Sequence, residues 1–372
     1  MNHQFFSRRS LFRLATTACA GLVLLGCGGT DSGSGTGNGT GGVRNVDAKD
    51  ARYIILTNGN SPFWDAVRVG MTKAGEEMKI NVDIENCDGT PRDQLDKQRH
   101  FKRQPDVVAI GISALTAKSP ALADELREIQ KQGVKVVTID SDVDREKFSD
   151  ARFGFVGTNN LVAGEELGKA AKALKPEGGK YVAFVGYSDA QNAIDRIGGF
   201  ATGAGESFVK ADVMTDETDR SKALANVRNA VNDPDVNVLV GIWSYNAPAI
   251  ADLVKEQDSK SKYTVVTFDA EPLAIKQMEK GLIDAMIVQN PYQMGYQGAR
   301  LMKALVEEDQ DEIKKMLPNT GEPDGNIYDT GLKVVVPNEG SPLKPEMFGE
   351  SVEFFKLSDF QAWLEERELT GS

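Results

Sequence analysis

From residue 52 onward the sequence predicts an α/β fold of two similar, doubly wound, parallel-sheet lobes. Three observations predict it. Short β-branched runs alternate with amphipathic stretches, the order that strand, crossover helix and parallel strand require. Most of the runs are apolar throughout, as strands covered by helices on both faces must be. The runs number eleven, more than one compact sheet of this kind holds, and right-handed crossovers divide them between two sheets.

The first unit sets the pattern. Tyr53-Ile54-Ile55-Leu56 reads as a strand, Asn58-Gly59-Asn60 breaks it, and Pro62 opens a helix, where its missing N–H costs nothing. Phe63, Val67, Met71, Ala74 and Met78 then recur at intervals of three or four and give that helix one buried face. Further strands are expected at 82–85, 107–110, 134–139, 153–156, 181–185, around Val213, and at 236–240, 263–268, 285–288 and 332–336. Helices are expected at 93–103, 119–131, 162–174, 197–209, 221–232, 247–256, 272–279 and 292–307.

The cycle restarts after Gly157-Thr158-Asn159-Asn160, so the chain is expected to cross between lobes there, again near Gln289-Asn290-Pro291, and a third time within 314–331. One lobe would then comprise 51–156 with 290–317, the other 157–289 with 318–340, joined by a three-crossing hinge. Residues 341–372 read as a separate extension. There Ser358 and Gln361 have capping-box spacing, and Phe360, Trp363 and Leu364 give a short helix one apolar face to latch onto a lobe.

Residues 1–26 read as an export address: Arg8, Arg9 and Arg13 precede an apolar stretch too short for a stable membrane span. Leu24-Leu25-Gly26-Cys27 resembles the lipobox of bacterial lipoproteins, which implies cleavage before Cys27 and its acylation. Ser7-Arg8-Arg9 with Phe12 resembles a twin-arginine signal, and ordinary Sec export stands beside that reading. Residues 27–50 follow as a tether, and their Gly/Ser/Thr-rich part to Gly42 has too little apolar content to fold. With Cys27 acylated, Cys87 is expected to be a small buried hydrophobe.

Composition narrows the function. Net charge is −12, and −15 without the first 26 residues, which argues against a phosphate-backbone partner. Two histidines, His3 and His100, and three cysteines leave no zinc-type cluster, so no metal or cofactor is expected. No Gly-x-Gly-x-x-Gly follows the first strand and no nucleophile elbow is present, which disfavours an enzyme. A transcription regulator would need a basic helix-turn-helix that the chain lacks.

What remains is the polar chemistry at the carboxyl ends of strands, where open α/β sheets bind ligands. Val136-Val137-Thr138-Ile139 runs into Asp140, and Val265-Val266-Thr267-Phe268 into Asp269, one carboxylate per lobe. Phe63 and Trp64 follow the first strand, Trp243 to Asn246 another, and Gln289 a third.

These segments resemble, in order, the ribose-binding proteins of bacterial ABC importers, a type I periplasmic binding fold. The resemblance is carried by Asn60-Ser61-Pro62-Phe63-Trp64, Val136 to Asp140, Gly157-Thr158-Asn159-Asn160 with Gly164, Asn192-Ala193-Ile194-Asp195-Arg196 with Gly199-Phe200, Thr267-Phe268-Asp269, and Gln289-Asn290-Pro291-Tyr292-Gln293-Met294-Gly295. It implies a sugar ring against Phe63 and Trp64, with Ser61 beside them and Asp140, Arg196, Asp269 and Gln289 bonding its hydroxyls. Such charge-assisted bonds contribute roughly 1.5–3 kcal/mol each. The chain departs from the family where an Arg should follow Asp140 and Ser141 stands, where Ile194 replaces an Arg, and where Thr218 replaces an aromatic. Trp243 stands where the family has Asn and could supply the ring's second face; Asn192 and Asp219 join the candidate site. The resemblance implies a monomeric, lipid-anchored receptor that delivers a sugar or related polyol to a membrane permease, with presentation to a chemoreceptor or sensor kinase as the alternative.

Overall fold

The computed structural model describes residues 44–322 and 325–372. The expected leader, Cys27 and the tether as far as residue 43 lie outside the described residues. Residues 44–50, expected in the tether, are docked instead. The Arg44 guanidinium donates to Lys102 O at 2.7 Å and Val107 O at 3.0 Å, and its Nε to Gln132 O at 3.2 Å. Lys102 and Gln132 carry carbonyls at helix C-termini, which have no partner of their own in the helix, so a fork of donors is well placed there.

The chain runs β1 (Arg52–Leu56), α1 (Phe63–Met78), β2 (Asn81–Glu85), α2 (Pro91–Arg103), β3 (Val107–Ile112), α3 (Pro120–Lys131), β4 (Lys135–Ile139), β5 (Phe155–Gly157) and α4 (Asn160–Leu174). It continues through β6 (Gly179–Val185), α5 (Gln191–Ala204), β7 (Phe208–Thr215), α6 (Arg220–Ala230), β8 (Val236–Gly241), α7 (Asn246–Glu256), β9 (Thr264–Phe268), α8 (Pro272–Glu279) and β10 (Ala285–Val288). The remainder is α9 (Pro291–Val306), α10 (Gln310–Met316), β11 (Ile327–Asp329), β12 (Leu332–Val336), β13 (Val352–Lys356) and α11 (Leu357–Glu365).

Two sheets result, in the orders β11-β5-β4-β3-β1-β2 and β13-β12-β10-β9-β8-β6-β7. Among the described residues every strand pairing is parallel except β10 with β12. The strands are apolar because both faces are covered: Ile54, Ile55, Val108, Ile110, Val238, Leu239, Val265 and Val266 are all essentially inaccessible. The expected α/β architecture of two doubly wound sheets is the one observed. Cys87 is buried as expected, and burial pushes its thiol up to about 12. Among the described residues no helix is long and apolar enough to cross a membrane.

Several expectations need correction. Two strands beyond the expected eleven exist, β11 and β13, both at sheet edges. The Ile-Tyr-Asp of β11 is too short to show a period, and it pairs with β5, so this segment belongs to the first sheet and the third crossing falls at Thr330-Gly331. The extension is not separate: β13 lies beside β12 along its whole length and α11 packs on α8 and β12. No capping box starts α11, because Lys356 occupies the cap position and the Ser358 N–H is taken by Asn338 Oδ1 at 2.8 Å. Helix α5 occupies 191–204 rather than 197–209: Gly205, at φ 78°, stops it, and Phe208 already starts β7. The helix α10, not expected, is capped by Asp309, which accepts from Glu312 N at 3.0 Å.

Helix α5 matters for the site because it carries Arg196, and its distance from α4 is set by glycine. A Cβ at Gly164 would lie 2.3 Å from Arg196 O. Only the bare backbone lets the two helices touch there, and that contact fixes where the Arg196 side chain starts.

Candidate ligand site between the sheets

The two carboxylates that end equivalent strands have the same backbone. Asp140 follows β4 at φ 64° and Asp269 follows β9 at φ 63°, both in the left-handed region that few residues other than glycine, Asn and Asp adopt. Each N–H is tied to the neighbouring strand, Asp140 to Val156 O at 3.1 Å and Asp269 to Ile287 O at 2.8 Å. The surrounding sheet thus holds a sparsely populated conformation in place, as happens at ligand sites.

Around Asp140 stand side chains from the ends of β1 and β3. Its Oδ2 accepts from Ser113 Oγ at 2.8 Å and from Asn58 Nδ2 at 3.5 Å. Asp269 Oδ1 accepts from Gln289 Nε2, at the end of β10, at 3.0 Å. Between the two carboxylates Arg196 reaches in from α5. Its Nε donates to Asn160 Oδ1 at 2.8 Å, its Nη1 to Ile242 O at 2.9 Å, and the Phe268 ring lies 4.4 Å beneath it. Asp269 Oδ2 is 3.9 Å from Nη1. Arg196 Nη2 and Gln289 Oε1 are buried and have no protein partner among the described residues. An unmade buried bond costs about 1–3 kcal/mol, so a buried donor and a buried acceptor on two residues that line one cavity can each take a bond from a polar group placed there.

Burial dominates the electrostatics. It raises the Asp140 carboxyl above the usual range, opposed by Arg196, and it pushes Asp269 up to about 6 against the pull of Arg196 and Gln289. Burial also lowers Arg196, opposed by Asp269 and Asp140. Asp142, two residues beyond Asp140, takes no part. It is locked to Arg152 Nη2 at 2.6 Å, Arg145 Nε at 2.9 Å and Thr138 Oγ1 at 2.6 Å, a buried network that braces the loop after β4.

The aromatic walls are Phe63 and Trp64, edge to face at 5.2 Å, and Trp243 beyond the end of β8. The Trp243 indole N–H donates to Asn192 Oδ1 at 3.1 Å. Its ring lies against Gly186, where a Cβ would come within 2.2 Å of it. These groups enclose a cavity of about 130 Å3. At roughly 10–15 Å3 as the least that admits one water, that is room for several waters or one small polar ligand. Loops that follow strands of the two sheets also touch directly: Tyr187 OH donates to Gly89 O at 2.8 Å and Ala117 N to Asp189 O at 3.3 Å.

Of the residues expected at the site, Ser61, Phe63, Trp64, Asp140, Asn192, Arg196, Trp243, Asp269 and Gln289 line this cavity. Asp219 does not. It is exposed and caps α6, accepting from Ser221 N at 2.7 Å and Lys222 N at 3.1 Å. Its neighbour Thr218 lines the cavity in its place, a β-branched residue held at φ 66°. Asn58, Asp88, Arg220, Ser244 and Tyr245 also line it. Ser244 and Tyr245 follow Trp243 at the end of a strand already noted, whereas nothing local marks Arg220. Behind this wall Glu271 accepts from Ser244 Oγ at 3.0 Å and Arg220 Nη2 at 3.1 Å, and Asp216, raised by burial to about 6, accepts from Asn246 Nδ2 at 2.9 Å and from Tyr245 OH.

Fold and site together define a class: two doubly wound sheets, crossed three times by the chain, whose strand ends converge on one small polar cavity walled by aromatics. The chain belongs to the periplasmic binding protein family, whose model, described as a periplasmic binding protein domain, matches residues 52–310. It is 25% identical over 292 residues to the D-allose-binding periplasmic protein of Escherichia coli K12, covering 75% of this chain and 90% of that one. It is 23% identical over 278 residues to the ribose import binding protein of Salmonella typhimurium, covering 73% and 89%. In structure it resembles an ABC transporter solute binding protein from Agrobacterium vitis with bound D-fucose, with a TM-score of 0.69 and 21% identity over 80% of this chain and 98% of that one. The fold is accordingly that of the type I periplasmic binding proteins.

Proposed function

We propose that this chain is a sugar receptor, anchored outside the cytosol through Cys27, that closes its two lobes on one monosaccharide and presents the closed form to a membrane permease. The observation that carries the reading is the pair of buried atoms without protein partners among the described residues, Arg196 Nη2 and Gln289 Oε1, on residues that line one small cavity together with Asp140 and Asp269. A sugar ring has apolar C–H faces for Phe63, Trp64 and Trp243 and a rim of hydroxyls that both donate and accept. Carboxylates, a guanidinium and an amide suit such a rim, and charge-assisted bonds make it selective. The relatives named for D-allose and ribose support the ligand class. The Leu24 to Cys27 motif supports the anchor. The lobes work as a receptor because contacts on both sheets exist together only when the cleft is shut, so a sugar shifts the population toward closure.

Mass spectrometry of small molecules retained by the purified protein, followed by calorimetry with the sugar found, tests this. A retained monosaccharide that binds at micromolar concentration or below supports it. A protein that retains no sugar and binds no pentose or hexose refutes it. Replacement of Cys27 by Ala should move the protein out of the membrane fraction; an unchanged distribution removes the anchor.

A further inference from the structure

After α11 the chain turns back toward the ligand cleft. Leu369 N bonds to Leu364 O at 3.0 Å, and the segment then delivers Ser372, only 2% exposed, to the ends of β9 and β10. The Ser372 N–H donates to Ala270 O at 2.9 Å, and the Ala270 N–H donates to Ser372 O at 2.7 Å. Ser372 Oγ donates to the main-chain carbonyl of Gln289 at 3.0 Å. Ala270 directly follows Asp269, and Gln289 is the residue whose side chain bonds Asp269 at 3.0 Å. One residue therefore ties down the backbone of both members of a ligand-facing pair.

The approach is close. A Cβ at Gly371 would lie 2.7 Å from Ala270 O and 2.8 Å from Pro272 Cδ, so no side chain fits there without displacing the segment. Upstream, the extension is fastened to the second sheet by β13 beside β12 and by Trp363, whose ring lies 4.4 Å from Lys333 Nζ and 4.3 Å from the Arg367 guanidinium. Gln361 Nε2 adds a bond to Glu279 Oε1 on α8 at 2.7 Å. The strap is thus held at its base and bonded at its tip.

The consequence lies in the backbone of Asp269. At φ 63° it sits in the left-handed region, which Asp can visit but which is sparsely populated unless neighbouring bonds hold it. On its amino side the bond to Ile287 O does this; on its carboxyl side the reciprocal Ala270–Ser372 pair does. We infer that Gly371 and Ser372 are positioning residues for the ligand site: they hold Asp269 and Gln289 in their binding geometry and thereby set the affinity for sugar. The affinity part of this inference rests on the proposed sugar-receptor function; the positioning part does not.

The test has two arms. In the sugar-free protein, amide hydrogen exchange is compared between wild type, Gly371→Val, Ser372→Ala and Ser372→Thr. Gly371→Val should speed exchange at Asp269 and Ala270 at least tenfold, with the amides of β6 and β8 unchanged. Ser372→Ala should give a smaller increase and Ser372→Thr none. Unchanged exchange at Asp269 in Gly371→Val overturns the inference, whatever sugar the protein binds. The second arm titrates D-allose and D-ribose by calorimetry into wild type, Gly371→Val, Gln289→Ala and the double variant. Gly371→Val should weaken binding about tenfold in the wild-type background and less than threefold where Gln289 is already gone, because the two act through the same pair. Equal losses in both backgrounds mean a general structural role and overturn the inference. A wild-type protein that binds neither sugar counts against the choice of ligand, and the exchange arm still decides the strap.

Discussion

Replacing Asp269 by Asn should stabilise the sugar-free protein while weakening its grip on sugar. Burial pushes the Asp269 carboxyl from its ordinary 3.8 up to about 6 despite the nearby Arg196 and Gln289. A carboxyl raised on folding means that the folded state holds more protons than the unfolded state between those two values. Its contribution is neutral below the unfolded value, becomes destabilising as pH rises from 3.8 to about 6, and stays at its full size above. A shift of about two units corresponds to about 3 kcal/mol at neutral pH and above. Asn removes the buried charge, keeps an oxygen that can accept from Gln289 Nε2, and tolerates the left-handed backbone as Asp does. Urea denaturation of the sugar-free proteins at pH 4, 6 and 8 should show Asp269→Asn more stable by about 3 kcal/mol at pH 8, with the difference shrinking toward zero below pH 4. In wild type, sugar affinity should fall about tenfold between pH 7 and 5 as the Asp269 acceptor is protonated, and Asp269→Asn should lose that part of the pH dependence, leaving any part carried by Asp140. If the variant is no more stable than wild type at pH 8, the buried charge carries no cost and the electrostatic account of the cavity is wrong.

Three further outcomes are expected. Asp140→Ala should weaken sugar binding at least tenfold with the fold intact, a loss that needs only about 1.4 kcal/mol; calorimetry and circular dichroism check it. Asp142→Ala should do the reverse, costing about 3–5 kcal/mol of stability by leaving Arg152 buried and unpaired, as denaturant titration would show. Sugar should quench or shift the fluorescence of Trp64 and Trp243 with the same saturation curve as a fall in radius of gyration measured by solution scattering. Tight binding that altered neither signal would refute closure around the ring.

The alternation of strands and helices, the two-sheet architecture and most of the cavity wall are legible in the order of the residues. Both kinds of information are local. A β-branched run announces a strand, and the polar residue that ends it, Asp140, Asp269 or Gln289, lands at the sheet edge where ligands gather, so strand ends alone collect side chains from distant parts of the chain. Features that depend on a partner far away in sequence emerge only once the sheets have formed. Strands β11 and β13 exist because β5 and β12 offer them unpaired edges, and neither segment shows a period of its own. Asp219 and Thr218 are neighbours, yet one caps a helix and the other lines the cavity, because the backbone of the loop at φ 54° and 66° turns them apart. Arg196 is legible in its motif, but where its side chain starts depends on the bare contact of α4 with α5 at Gly164. The bonds of Ser372 to Ala270 and Gln289 span more than eighty residues. Local periodicity reports which face of an element is apolar; it carries no record of which backbone group, a hundred residues off, will stand opposite once the sheets have formed.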